Sequence, residues 1–195
     1  GELTVQGADG IGTYDCVRYA PTCTFQVDGT VLTSGDYVQV IENGDTCATG
    51  SQSVNFVNPR KQADAGGTGT AQTFEPGTGS LQGVYRVCYC PAYDNGGGTA
   101  CDVDAEYTHQ AGVLDIRGPV GGEDKACTAG VQCTVGPFTG QTLTNNDKVG
   151  FMAGTGACIT TDKDASSEIA QNQFKSMSVT AAVKTQVVLN AVDLP

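Results

Sequence analysis

Apolar and polar positions alternate along this chain in short runs bounded by glycine, the period of half-buried β-strands. DYVQVI at 36–41, QSVNFV at 52–57, VYRVCYC at 84–90 and SVTAAVKTQVVL at 178–189 each read as a strand. Twice the alternation takes one fixed form: GELTVQG at 1–7 and GVLDIRG at 112–118 both read G-x-L-x-(V/I)-x-G. A two-residue period places Leu3 and Val5 on one strand face, as it does Leu114 and Ile116, and turns Glu2, Thr4 and Gln6 the other way. DKDASSEIAQNQF at 162–174 is the exception, where Asp162 or Asp164 caps a short helix with Ile169 and Phe174 inward. The stretch 63–80 lacks periodicity and is expected to be an exposed loop whose threonines can carry O-linked sugar. No N-x-S/T sequon occurs. No run of apolar residues is long enough to span a membrane.

The chain is internally duplicated. Cys16, Cys23 and Cys47 recur as Cys127, Cys133 and Cys158, displaced by 111, 110 and 111 positions. Between these anchors TSGDYV at 33–38 matches TNNDKV at 144–149, repeating Thr33, Asp36 and Val38 as Thr144, Asp147 and Val149. The two G-x-L-x-(V/I)-x-G strands are also 111 residues apart, so the match reaches back to Gly1. Three cysteines in register weigh against chance likeness between Thr/Gly-rich loops.

Composition narrows the class. Among 195 residues 27 are Gly and only 16% are charged, which favours turn-dense β structure over helical bundles. The net charge of −11 repels phosphate backbones and anionic lipid, so nucleic acid and membrane surfaces are not expected partners. Nine Cys without zinc-site spacing point to disulfides and an extracellular or cell-surface setting. A chain opening on Gly1 rather than Met is what signal-peptide removal, or trimming, leaves. Because nine is odd, one thiol is free or joins two molecules.

Pairing within the repeats is only partly constrained. Cys16, Cys23, Cys47, Cys88, Cys90 and Cys101 allow 15 pairings. A bridge common to both copies must come from the equivalent trio, which leaves one of Cys127, Cys133 and Cys158 over. Cys88 and Cys90 share one strand face and reach partners on the same side.

Catalytic chemistry finds little support. His109 is the sole histidine, no nucleophile elbow surrounds a Ser or Cys, and the Gly-rich stretches do not open helices after strands. Asp94, Asp102, Asp104 and Glu106 are a weak Ca²⁺ candidate, and a solvated acidic loop explains them better. No cofactor or other metal is expected. A carboxylate glycosidase ranks third among the readings, since no spacing selects an acid/base pair.

YRVCYC at 85–90, Cys101 and AGVLDIRGP at 111–119 together resemble uncharacterised cysteine-rich extracellular β modules of microbial eukaryotes such as alveolates. The shared pattern is Y-x-(V/L)-C-(W/Y)-C, a further Cys, then G-x-L-x-(V/I)-x-G-P. The resemblance implies an extracellular β-rich module whose G-x-L-x-I-x-G-P strand comes last, and it implies no activity or ligand. On that basis residues 8–118 form one Ig-like β-sandwich module and 119–195 a second lacking its last strand. Residues 1–7 are then a last strand without a module in front. VVLNAVDLP overlays YRVCYCP with Pro195 on Pro91.

The expected function is structural: a protomer of an extracellular fibril, a homopolymer built head to tail by donor-strand exchange. Gly1, Glu2, Leu3, Thr4, Val5, Gln6 and Gly7 are the donor. Val179, Ala181, Val183, Val188, Val192 and Leu194 are acceptor-groove candidates. Residues 1–7 packing on their own chain is the plainer alternative. A second is a monomeric adhesive ectodomain fragment that binds glycan or protein, though a chain with no Trp and 7% aromatics offers few glycan platforms.

Overall fold

The structure, a computed structural model, describes residues 1, 3–92, 101–121, 126–128, 131–144, 147–150, 174–176, 178–180 and 184–189, with strand residues from 148 onward described by their backbone. The described residues are all-β apart from a single 3-10 turn at Asp104–Glu106. Contacts divide the chain into unit 1, Gly1–Gly118, and unit 2, Pro119–Pro195.

Unit 1 is a two-sheet β-sandwich. Its strands are β1 (Gly7–Ala8), β2 (Gly12–Val17), β3 (Phe25–Thr30), β4 (Tyr37–Glu42), β5 (Arg60–Gln62), β6 (Ala71–Phe74), β7 (Gly83–Cys90) and β8 (His109–Pro119). One sheet runs β1-β3-β6; the other runs β8-β7-β4-β5, with β2 added parallel to β8. Strand β3 alternates as sequence dictates: Phe25 and Val27 face inward while Gln26 and Asp28 face solvent. From the opposite sheet Val38, Val40, Tyr85, Val87, Tyr89, Leu114 and Ile116 close the same core.

Strands β4 and β7 are buried on both faces, which is why they read as nearly continuous apolar runs. Ile41, Cys88 and Cys90 point away from the main core into a second cluster with Cys47, Cys101 and Tyr107. Two disulfides, Cys47–Cys88 and Cys90–Cys101, staple the covering loops onto this outer face. Buried Gln39 sits at the edge of that cluster. Its amide donates to the Gly50 carbonyl and to Asp104 Oδ1, both at 3.0 Å, and accepts from Arg60.

Unit 2 contains β9 (Cys133–Phe138), β10 (Gly140–Gln141), β11 (Lys148–Gly150), β12 (Phe174–Ser176), β13 (Ser178–Thr180) and β14 (Lys184–Leu189). Two of its pairings repeat pairings of unit 1. β11 and β12 pair Lys148, Val149 and Gly150 with Ser176, Lys175 and Phe174, as β4 and β5 pair Tyr37, Val38 and Gln39 with Gln62, Lys61 and Arg60. Val135 faces Val187 across β9 and β14, as Phe25 faces Phe74 across β3 and β6. Cys127–Cys133 repeats Cys16–Cys23.

The repeated Thr and Asp form the same turn in each unit. The Thr33 N–H donates to Asp36 Oδ2 at 2.8 Å and the Asp36 N–H to the Thr33 carbonyl at 3.2 Å. In unit 2 the Thr144 N–H donates to Asp147 Oδ2 at 2.7 Å and the Asp147 N–H to the Thr144 carbonyl at 3.2 Å. A side chain that satisfies the backbone two or three residues away fixes the approach to β4 and to β11.

Several sequence expectations require correction. The 63–80 segment is not wholly loop, because Ala71–Phe74 is strand β6 with Gln72 and Phe74 buried. Its inward Gln breaks the apolar pattern that would have revealed it. Residues 52–57 are turns with bridges at Gln52 and Phe56 rather than a strand, leaving Val54 and Val57 exposed. The run 178–189 is an antiparallel pair, β13 and β14, rather than one strand. β14 occupies the place of β6, with Leu189 opposite Cys133, and the residues that overlay Cys88, Cys90 and Pro91, namely Val192, Leu194 and Pro195, lie outside the described residues. Residues 162–173 of the expected helix lie outside the described residues, and Phe174 begins β12.

Candidate functional site

The slot occupied by the G-x-L-x-I-x-G strand in unit 1 defines what that motif does. Segment 112–118 of β8 lies between β2, parallel to it, and β7, antiparallel to it. Its register sets Gly112 beside Gly12 and Ile116 beside Cys16 on one side, and Leu114 beside Tyr85 on the other. Leu114 and Ile116 are fully buried. Gly112 is required because a Cβ there would run into the Tyr14 ring and the Gly12 carbonyl. Gly118 is required because its φ of 149° is a conformation that side chains rarely adopt.

The same motif at 1–7 meets a different fate. Leu3 is 87% exposed and Val5 75% exposed. Gly1, Thr4 and Gln6 are also exposed, Glu2 lies outside the described residues, and only Gly7 enters a strand. The antiparallel register Gly7↔Thr30 and Ala8↔Gly29 directs residues 3–6 past Thr30, where β3 ends and Val31 turns the backbone at φ 56°. No length of β3 remains for Leu3 and Val5 to pair with.

The chain leaves the motif alike in both copies. Gly7, at φ 134°, shares with Gly118, at φ 149°, a positive φ. The Asp9 N–H then donates to the Asp28 carbonyl at 2.9 Å, and 111 residues on the Val120 N–H donates to the Thr139 carbonyl at 2.7 Å. Beside this junction a shallow cleft is lined by Asp9, Ile11, Tyr14 and Asp28. Thr30 donates to Asp9 and Gln26 to Asp28, and burial pushes the Tyr14 phenol up to about 12, with Asp28 adding to the rise.

In unit 2, residues 126–128 are exposed, whereas Cys16, the counterpart of Cys127, is 8% exposed under the strands beside it. The counterparts of β7 and β8 are not found among the described residues of unit 2. Of the acceptor candidates, Val179 lies on β13 and Val188 on β14, which is hydrogen-bonded on both sides by β13 and β9. Ala181, Val183, Val192 and Leu194 lie outside the described residues, as does Cys158.

The acidic residues near Cys101 do not converge on a common point. Asp104 is ion-paired with Arg60 at 2.6 Å, the Asp102 carbonyl accepts from Arg60, and Glu106 accepts the Val103 N–H at 3.1 Å. Asp94 lies outside the described residues. His109 is an exposed residue at the start of β8, in contact with Thr108 at 2.9 Å. Sequence reasoning missed two elements of the junction: the positive φ at Gly7 and Gly118, and the bond following each. The signal was there in the glycine closing both motifs.

The chain matches no protein-family model, no curated protein and no solved structure.

Proposed function

We propose that this chain is the structural protomer of an extracellular fibril, assembling head to tail as the N-terminal strand of one molecule inserts into unit 2 of the next. One contrast carries the reading: Leu3 and Val5 stand exposed in the motif whose second copy buries Leu114 and Ile116 completely. An apolar pair left exposed in a strand motif that elsewhere forms core fits a docking element. Unit 2 repeats two strand pairings of unit 1 and presents Cys127 exposed where Cys16 is covered, which supports it as the receiver. Four disulfides among the described residues favour an oxidising, extracellular compartment. No helix among the described residues is long and apolar enough to cross a membrane.

The energetics permit it. Burying Leu3 and Val5 contributes roughly 1.5–3 kcal/mol each. About five ladder hydrogen bonds add roughly 1 kcal/mol apiece. Association and ordering costs offset several kcal/mol of this. A contact that is heterologous, joining unlike surfaces, propagates as a filament unless its geometry closes a ring.

The test is electron microscopy of the non-reduced protein, whole and with residues 1–6 deleted. Filaments from the whole chain and none from the deletion are expected. Filaments from the deleted chain would exclude the donor, and dispersed monomers of the whole chain would favour the adhesive-ectodomain reading.

A further inference from the structure

We infer that the donated strand seats in one register, with Thr4 beside Ala126 and Val5 beside Cys127 of a second copy of this chain. The inference rests on the strand-donation reading above and adds the residues that meet.

The argument transfers one observed register through the repeat. In unit 1 the parallel pair β2 and β8 sets Asp15 beside Asp115 and Cys16 beside Ile116. Cys16 is tied to Cys23, and Cys127 is tied to Cys133, so the disulfide marks Cys127 as the counterpart of Cys16 and Ala126 as that of Asp15. On the donor side the motif at 1–7 matches 112–118 residue for residue, making Thr4 the counterpart of Asp115 and Val5 that of Ile116. Gly7 and Gly118 both take an unusual positive φ, 134° and 149°, which marks the donor's phase at its downstream end.

A strand's side chains alternate, so a slip of one residue would turn Leu3 and Val5 to the wrong face. A slip of two keeps the face but moves the motif's closing glycine off the turn position that Gly118 occupies in β8. Charge adds a distinguishing feature. Asp15 is ion-paired with Arg117 at 2.6 Å in unit 1, and the matching pair, Ala126 and Gln6, is uncharged. The junction is therefore held by apolar burial and backbone bonds and should tolerate salt.

The test is a full-length Thr4→Cys, Ala126→Cys double variant, assembled, oxidised and run without reductant. A ladder of covalent multimers that collapses on reduction is expected, roughly tenfold stronger than from Gln6→Cys with Ala126→Cys, because a disulfide forms only between closely placed Cβ atoms. Because added thiols can divert native bridges, a second measurement places benzoylphenylalanine at position 4. Its photo-adduct should map to the neighbour's tryptic peptide that begins at Ala126.

A stronger ladder from the position 6 variant, or filaments whose position 4 adduct maps elsewhere, would overturn the register and leave strand donation standing. A link within single chains, with no ladder, would overturn the second copy as partner. A chain that forms no filaments sinks both readings.

Discussion

The hydroxyl of Tyr89 donates a 2.6 Å hydrogen bond to Oδ2 of Asp36, with both residues at most 2% exposed. The same carboxylate accepts from the Thr33 N–H and hydroxyl and from the Ala92 N–H, so a buried charge is fully engaged by donors. Burial pushes the Tyr89 phenol far up, and its bond to Asp36 pushes it further. Asp36→Ala strands these donors and should cost unit 1 roughly 3 kcal/mol or more, while Tyr89→Phe should cost about half that. Asp147→Ala, in the matching but less buried turn, should cost roughly 1 kcal/mol. Urea unfolding of each variant gives the ranking, and an equal cost at Asp36 and Asp147 would contradict it.

Alkaline sensitivity follows from the tyrosines. Burial raises Tyr14 to about 12, with Asp28 adding to it, and burial raises Tyr85 to about 12, with Glu42 adding. Both folded values lie above the unfolded value near 10. The unfolded chain therefore loses these protons first, so the stability they contribute is complete below about pH 10 and falls as pH rises towards 12. The slope is at most roughly 1.4 kcal/mol per pH unit for each tyrosine. Tyr14→Phe should flatten the decline, as measured by denaturant unfolding at about pH 9 and about pH 11.5.

The two kinds of disulfide should differ in weight. Cys47–Cys88 closes a separation of 41 residues and Cys16–Cys23 one of 7. Chain-entropy estimates give roughly 4 kcal/mol for the first and roughly 2 kcal/mol for the second. Calorimetry of the paired Cys→Ala variants should show the larger fall in Tm for Cys47 and Cys88. These two also pack in the outer cluster with Ile41 and Tyr107, which adds to their cost.

Aspartate at matching motif positions separates folding from assembly. Leu114→Asp buries a charge in the main core and should unfold unit 1. Leu3→Asp touches an exposed residue and should shift the Tm by no more than a degree or two, within the effect of an ordinary surface change. Sedimentation should nonetheless show that Leu3→Asp no longer pellets as filament. A large stability loss from Leu3→Asp would place that residue in its own chain's core.

Much of unit 1 was legible because a strand's faces are a local property. The period of two correctly set Leu114 and Ile116 on one buried face and placed Cys88 and Cys90 on one side. The Thr-x-x-Asp repeat was visible because its turn is closed by neighbours three residues apart. Strand β6 was hidden because Gln72 points inward, a choice that only the packing around it can dictate. The division of 178–189 into β13 and β14 was hidden for a similar reason, since an apolar run does not specify where it folds back.

By itself the sequence determined the duplication, the all-β class, the alternation of each motif and the shared face of Cys88 and Cys90, all properties of residues near one another along the chain. Tertiary structure alone decided that Cys47 takes Cys88, that Cys90 takes Cys101, and that β14 stands in the place of β6. It also decided that one copy of G-x-L-x-(V/I)-x-G is a core strand and the other an exposed arm. Burial is set by what lies alongside a segment. β8 has β2 and β7 as neighbours, whereas residues 3–6 run past the end of β3.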